Sequence, residues 1–236
     1  MSSFGELIQA LGALKNVKEK RHGIKTLSSL CANRAFQVRI VNKGGWQNAI
    51  LPLIISLDEE CRKYASLAIA NLSTSTQTHE KLLEEQVLRH LVPILQSEEV
   101  TEVVVYVLNA LGNFACSEIM WPQLRLMNTM ETVVNILKSA AREEIKVNGL
   151  FFLANLSADE QTRQHMIEIS LHETVWEHMR HPNYLVMQYA LAMLRGLSVE
   201  APIQDTLPRL GIMPLLVSVF KSQSPQVLKI MVLDII

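Results

Sequence analysis

Three asparagines, Asn71, Asn113 and Asn155, stand 42 residues apart, each inside the same short apolar phrase. A carboxamide carries one acceptor and two donors, so a regular row of them can pair with successive peptide bonds of an extended chain. Asparagine also serves at helix ends, where it ties off its own backbone. Spacing alone leaves both uses open. Either way, the row needs a scaffold that repeats with it.

That scaffold is visible in the phrase itself. It reads Leu27-Ser28-Ser29-Leu30-Cys31, Ile69-Ala70-Asn71-Leu72-Ser73, Leu111-Gly112-Asn113-Phe114-Ala115, Leu153-Ala154-Asn155-Leu156-Ser157 and Leu194-Arg195-Gly196-Leu197-Ser198, at intervals of 42, 42, 42 and 41 residues. Self-similarity at this period marks a helical solenoid, whose units bury their apolar faces only by stacking. With the asparagine position set to zero, position −2 is Leu27, Ile69, Leu111, Leu153 and Leu194, and position +1 is Leu30, Leu72, Phe114, Leu156 and Leu197. Position −6 (Gly23, Ala65, Val107, Gly149, Ala190) is mostly small, which lets helices approach closely.

A second column, Gly44, Gln86, Asn128, Ser170 and Gly211, precedes apolar runs at 45–57, 87–97, 129–139, 171–180 and 212–222. It predicts a left-handed corner between two helices. The first of those helices falls at 33–42, 76–85, 118–127, 159–169 and 201–209, with Asn33, Ser117 and Asp159 as N-caps. Pro52 and Pro93 inside the apolar runs predict a kink or a late start there. Each unit is therefore a short helix, a second helix and a long third helix. Residues 4–14 read as a second helix without its first, opened by a Ser3–Glu6 capping box.

Asn71-Leu72-Ser73 and Asn155-Leu156-Ser157, with the turn Leu210-Gly211-Ile212-Met213-Pro214-Leu215-Leu216, resemble the armadillo repeat over essentially the whole chain. The resemblance implies an all-α fold, a right-handed α-α superhelix of three-helix repeats of about 42 residues. The chain is then one armadillo domain over 1–236, with repeats near 1–31 (partial), 32–73, 74–115, 116–157, 158–198 and 199–236 (partial).

In such a fold the third helices line a concave groove, and the asparagine row holds the main chain of a bound peptide. Asn71, Asn113 and Asn155 are the candidate rungs; Ser29 and Gly196 have lost the amide. Position −4 adds Lys25, Leu67, Asn109, Phe151 and Ala192, with Asn109 and Phe151 as candidate contacts. The tryptophan that importin-α adaptors carry at this position is absent, which argues against binding of ordinary nuclear-localisation signals. Trp46, Trp121 and Trp176 fall in first or second helices and are assigned to packing. Position −7 supplies Tyr64, Tyr106 and Tyr189, which serve either a ligand or the seam between third helices. Arg21, Lys25 and Lys63 would make the N-terminal end of the groove basic and suited to an acidic segment.

Composition narrows the classes. Residues 1–43 hold eight lysines and arginines against two glutamates, yet the whole chain is at −1, so no basic groove runs its length and nucleic acid is not expected. No apolar run reaches bilayer length, so no membrane insertion is expected. Cys31, Cys61 and Cys116 are odd in number and widely spaced, which favours buried thiols in a reducing compartment, cytoplasmic, or else nuclear or ciliary/cytoskeletal. His172-Glu173-Thr174-Val175-Trp176-Glu177-His178 has the wrong spacing for an HExxH zinc helix. No nucleophile–base or phosphate-loop motif occurs, and neither an enzyme nor a cofactor or metal is expected.

The sequence therefore points to a non-catalytic scaffold or adaptor binding an extended or helical protein segment in the groove. The alternative is a structural assembly component, cytoskeletal or axonemal, that uses its convex face or terminal helices. The repeat phase places the last residues inside an apolar third helix. That reads as a fragment of a longer array or as a self-association surface.

Overall fold

A computed structural model describes residues 4–209, 211–221 and 225–235, with the side chains of Phe4, Leu7, Glu173 and Thr174 excepted. Ser3 of the capping box and Leu210 of the turn phrase lie outside them. The described residues are helical and contain no strand. They form two compact units, residues 1–140 and 141–236.

The first unit begins with α1 (Phe4–Ala13), the isolated second helix that the phase demands. Then come α2 (Val17–Cys31) and α3 (Arg34–Asn42), and a π-helical turn, Trp46–Ile50, that runs into α4 (Leu51–Ile54). The next repeat holds α5 (Glu59–Leu72), α6 (His79–Glu84, entered through a 3-10 turn at Thr76–Thr78) and α7 (Val87–Ser97). The following one holds α8 (Thr101–Ala115), α9 (Trp121–Leu126, entered through a 3-10 turn at Glu118–Met120) and α10 (Thr129–Ser139). From α8 into the Glu118–Leu126 segment the chain turns through 111°. The third helices α2, α5 and α8 pack side by side.

The second unit continues the pattern with α11 (Glu143–Leu156), α12 (Glu160–Glu168), α13 (Leu171–His178), α14 (Tyr184–Leu197), α15 (Ala201–Thr206), α16 (Ile212–Lys221) and α17 (Gln226–Ile235). Here the third helices α11, α14 and α17 pack in turn.

The recurrent phrase ends every third helix. Its −2 residues, Leu27, Ile69, Leu111, Leu153 and Leu194, are all at most 1 % exposed, and each such burial is worth about 1.5–3 kcal/mol. At position −6, a Cβ on Gly23 would lie 2.0 Å from a Leu11 methyl, so a larger residue there would force Leu11 to shift. The corner column is left-handed throughout: φ is +76° at Gly44, 56° at Gln86, 49° at Asn128, 54° at Ser170 and +65° at Gly211.

The N-caps are partly as expected. Asn33 accepts from the Ala35 amide and Asp159 from that of Thr162, but Ser117 makes no side-chain cap bond. Ser117 opens a 3-10 turn, whose amides are placed differently from those of an α-helix. Three caps escaped the sequence reading: Asn16, Asp58 and Asn183, at the starts of α2, α5 and α14. Pro52 sits in the first turn of α4, behind the π turn, whereas Pro93 lies inside a helix α7 that neither ends nor starts late. Cys31 and Cys61 are buried, but Cys116 is exposed just past the end of α8, against the expectation of three buried thiols.

Candidate functional site

The ends of the third helices carry the polar order of the fold. A helix leaves its last carbonyls without intrahelical partners. In every repeat, one side chain of the following first helix reaches back six residues to the carbonyl at position +2. Gln37 Nε2 donates to Cys31 O at 2.9 Å, Trp121 Nε1 to Ala115 O at 2.8 Å, and Arg163 Nη1 to Ser157 O at 3.0 Å. Gln204 Nε2 donates to Ser198 O at 2.9 Å, and His79 Nε2 lies 2.7 Å from Ser73 O. All five donors stand at register position +8 and share nothing but a side-chain N–H. Trp121, assigned to packing from sequence, is one of them. Because a carbonyl only accepts, His79 carries its proton on Nε2. Its Nδ1 is buried without a partner, and burial holds the imidazole below its ordinary pKa.

On this frame the asparagine row divides its amide. Asn71 Nδ2 donates to Ser28 O at 3.1 Å, and Asn113 Nδ2 to Ser73 Oγ at 3.0 Å and Ala70 O at 3.4 Å. Each side chain therefore stitches its helix to the end of the preceding third helix, rather than tying off its own. Both residues are half-buried, and among the described residues neither Oδ1 receives a hydrogen bond. Asn155 is half-buried at the same register in α11. At the outer positions, Ser29 Oγ bonds back to Lys25 O of its own helix, and Gly196 presses on Ser157, where a Cβ would meet Oγ at 2.1 Å.

The neighbouring positions share this face. Tyr64 and Tyr106 are half-buried along α5 and α8, and Lys25 Nζ of α2 stands 5.4 Å over the Tyr64 ring. Asn109 Oδ1 lies 3.4 Å from Asn113 Nδ2. In the second unit, the rings of Phe151 and Tyr189 meet across α11 and α14 with centroids 5.2 Å apart. Tyr64 and Tyr189 thus touch neighbouring helices, and all three tyrosines are half-buried.

The basic N-terminal end does not survive in the structure. Arg21 pairs with Asp58 at 2.6 Å and Glu60 at 3.3 Å, and Lys63 pairs with Glu102 at 2.8 Å. The hydrogen bond from Arg21 holds the Asp58 carboxyl well below the usual carboxylate range, while the bond to Glu102 raises the Lys63 ammonium. Two of the three cations invoked for an acidic ligand are therefore already neutralised by the next repeat. The partners lie 37 to 39 residues away, too far for the sequence reading to have matched them.

In the second unit a cleft of about 880 Å³ lies among α11, α14 and α17. Asn155, Gln188, Tyr189, Arg195 and Asp234 are among the residues that line it. The histidine-rich stretch around α13 offers no comparable site. His172 is buried, Arg180 stacks over the Trp176 ring at 4.6 Å, and no metal-binding grouping of His, Cys, Asp or Glu exists among the described residues.

No family model matches this sequence, and no curated protein matches it. Solved structures do. A designed armadillo repeat protein, YIII(Dq)4CqI, superposes with a TM-score of 0.88 at 21 % identity, over 99 % of this chain and 98 % of its own. Another, in complex with the peptide (KR)4, gives 0.88 at 19 % identity and full coverage of both chains. A computationally designed armadillo repeat protein for modular peptide recognition gives 0.87 at 20 % identity, over 99 % and 98 % of the two chains. This chain therefore has the all-α armadillo-repeat fold.

Proposed function

We propose that this protein is a non-catalytic scaffold that binds an extended protein segment along its third-helix face. One observation carries the reading: Asn71 and Asn113 spend their N–H groups on stacking and keep an unpaired carbonyl oxygen on the same face as half-buried tyrosines. In the first unit, an extended segment that runs along the row supplies main-chain N–H donors for those oxygens, and Tyr64 and Tyr106 supply contact area. The similar designed proteins, one solved with a peptide and one made for peptide recognition, support the same use of the fold. The three unpaired thiols support a cytoplasmic location.

Because the amides also stitch helices together, the triple variant N71A/N113A/N155A is expected to lower stability as well as binding. It is therefore paired with Y64A/Y106A, which removes open surface from the same face and leaves the amides intact. Peptides selected on the wild-type chain should lose at least about tenfold in affinity for both variants, measured where both remain helical by circular dichroism. Undiminished binding by the two variants refutes the reading.

A second reading, assembly through the last helices, rests on its own observation. Position −5 is at most 1 % exposed in α2, α5, α8, α11 and α14, whereas Leu233, its equivalent in α17, is 59 % exposed. Val227 and Ile230 extend that apolar row. Sedimentation at rising concentration tests it, and a monomer throughout disfavours it.

A further inference from the structure

In the first unit a groove of about 370 Å³ lies where α4, α5 and α7 meet, and Ile54, Ile55, Pro93 and Ile94 give it an apolar lining. Beside it, the loop from α4 into α5 holds two large aliphatic side chains in water: Ile55 is 64 % exposed and Leu57 fully so. One repeat on, the positions of Ile55 and Leu57 are Ser97 and Glu99, and two repeats on they are Ser139 and Ala141. Between α7 and α10, Gln96 Nε2 donates to Thr132 Oγ1 at 3.5 Å, whereas the equivalent positions on α4 and α7 are Ile54 and His90. The apolar character therefore belongs to this repeat and not to the fold.

The exposure of Leu57 is held in place by its loop. Ser56 Oγ accepts the Asp58 amide at 3.1 Å, and Arg62 Nη1 donates to Ser56 O at 3.0 Å and to Leu57 O at 3.1 Å. Asp58 in turn caps α5 and pairs with Arg21. A loop pinned on both sides of Leu57 presents it as a fixed knob, and binding through such a knob gives up little conformational freedom.

The polar groups of the groove divide into spent and open. Arg62 Nε and Nη2 donate to the Glu98 carboxylate at 2.6 and 3.2 Å, and Glu98 also accepts the Val100 amide. Ser97 Oγ donates to Pro93 O at 3.3 Å. His90 makes no hydrogen bond among the described residues, and its ring stands 6.1 Å from that of Trp46. Arg89 has one 3.3 Å bond to Gln86 and no ion pair among the described residues. The open charge of the groove is therefore a single guanidinium.

A carboxylate that answers it stands on the loop of the knob itself. Glu59 is exposed two residues past Leu57 and has no ion pair among the described residues. The Arg62 guanidinium is raised chiefly by its bond to Glu98, and Glu59 adds to that effect, so Glu59 is within electrostatic reach of the groove. A ligand lysine or arginine finds no unpaired carboxylate in the groove, and a bare anion gains nothing from the four apolar side chains. The groove fits a large aliphatic side chain with a carboxylate beside it, which is the chemistry of Leu57 and Glu59. One patch thus holds knob and groove, acid and base, as a two-fold contact requires: what one copy offers, the other receives.

We propose that this chain pairs with a second copy through this patch, Leu57 of each copy entering the groove of the other and Glu59 meeting Arg89. The pairing uses none of the residues of the proposed peptide site or of α17.

Sedimentation velocity of the intact chain between about 1 and about 500 µM tests it. The wild type should pass from monomer to dimer, the size at which a two-fold contact closes. L57D should weaken the association at least about tenfold, and so should R89E and E59R taken singly, since each sets like charges face to face. R89E mixed with E59R should associate again, because both contacts of the mixed pair join opposite charges. Mixing does not rescue a folding defect, so this arm is independent of the stability of the variants. A wild-type monomer throughout, association unmoved by L57D, or a mixture of R89E and E59R that stays monomeric overturns the proposal. Association kept in L57D and lost in L233D overturns it in favour of the last helices.

Discussion

If the donor at position +8 is what ends each third helix, then its chemistry and not its identity should matter, and His79 is the place to test it. The ring is 1 % exposed, with Nε2 2.7 Å from Ser73 O and its edge against Phe114 at a centroid distance of 5.1 Å and 68° between planes. Substituting glutamine, the residue that does this job at Gln37 and Gln204, keeps the N–H and loses the ring. The loss of the aromatic contact costs about 0.5–1.5 kcal/mol. His79→Leu loses the ring contact too and leaves the Ser73 carbonyl buried without a donor, which costs about 1–3 kcal/mol more. Urea unfolding followed by circular dichroism should therefore rank wild type above H79Q and H79Q above H79L, with a gap of about 1–3 kcal/mol between the two variants.

The pH dependence gives a second reading from the same residue. Burial lowers the folded-state pKa of His79, so below its ordinary value of about 6.5 the unfolded chain binds more protons than the folded one. Its contribution is complete above that value and is lost as pH falls through the window down to the lowered one. Between about pH 7.5 and about pH 5 the wild type should lose stability relative to H79Q, which has nothing to titrate there. Equal costs for H79Q and H79L, or parallel pH profiles for wild type and H79Q, would refute the donor argument.

Further outcomes follow from the fold. Ser170 adopts φ 54° on an exposed corner, so S170G should stabilise by roughly 0.5–1 kcal/mol, and G44A at φ +76° should cost about 1–2 kcal/mol, both read from urea midpoints. Asp58 caps α5 through the Cys61 amide and pairs with Arg21, so D58A should cost about 1–2 kcal/mol. Asp58 and Glu98 are both held below their ordinary pKa values, Asp58 chiefly by the Arg21 bond and Glu98 by Arg62 against its own burial. Their stabilisation is present above the ordinary carboxylate range and lost as pH falls through the lowered values, so D58N/E98Q should flatten acid unfolding. A thiol reagent should modify Cys116 in the native chain and reach Cys31 and Cys61, whose pKa values burial pushes up to about 12 and about 11, only on denaturation.

What could be read from the sequence was what repeats in residue type. The leucine column at −2, the small residues at −6 and the left-handed corner recur as identities or near-identities, because burial, close approach and positive φ each admit few side chains. The +8 column was invisible for the opposite reason. Gln37, His79, Trp121, Arg163 and Gln204 differ in size, charge and aromaticity, and only an inventory of N–H donors at a fixed register would have aligned them. The caps Asn16, Asp58 and Asn183 share register −13, but Val100 and Arg142 interrupt the column. Charge was misread at Arg21 and Lys63 because a run of like charges in sequence says nothing about acids one repeat away.

These two devices explain why the asparagine row sits where it does. With the +2 carbonyl satisfied from the following first helix, the next repeat bonds the carbonyls at position −1, Ser28 O and Ala70 O (which also accepts the Ser73 hydroxyl), through an amide at position zero. The amide nitrogen is thus fixed by stacking, and its oxygen is ordered by the same bond at no further entropic cost. A rung can be given up only where something else draws the helices together. In the second unit that is the direct approach of Gly196 to Ser157, which leaves no room for a Cβ. On the proposed reading, stacking and recognition share one side chain at Asn71 and Asn113, whereas at Gly196 only the stacking contact remains. There the helices α11 and α14 meet through backbone and a serine side chain, with no amide between them.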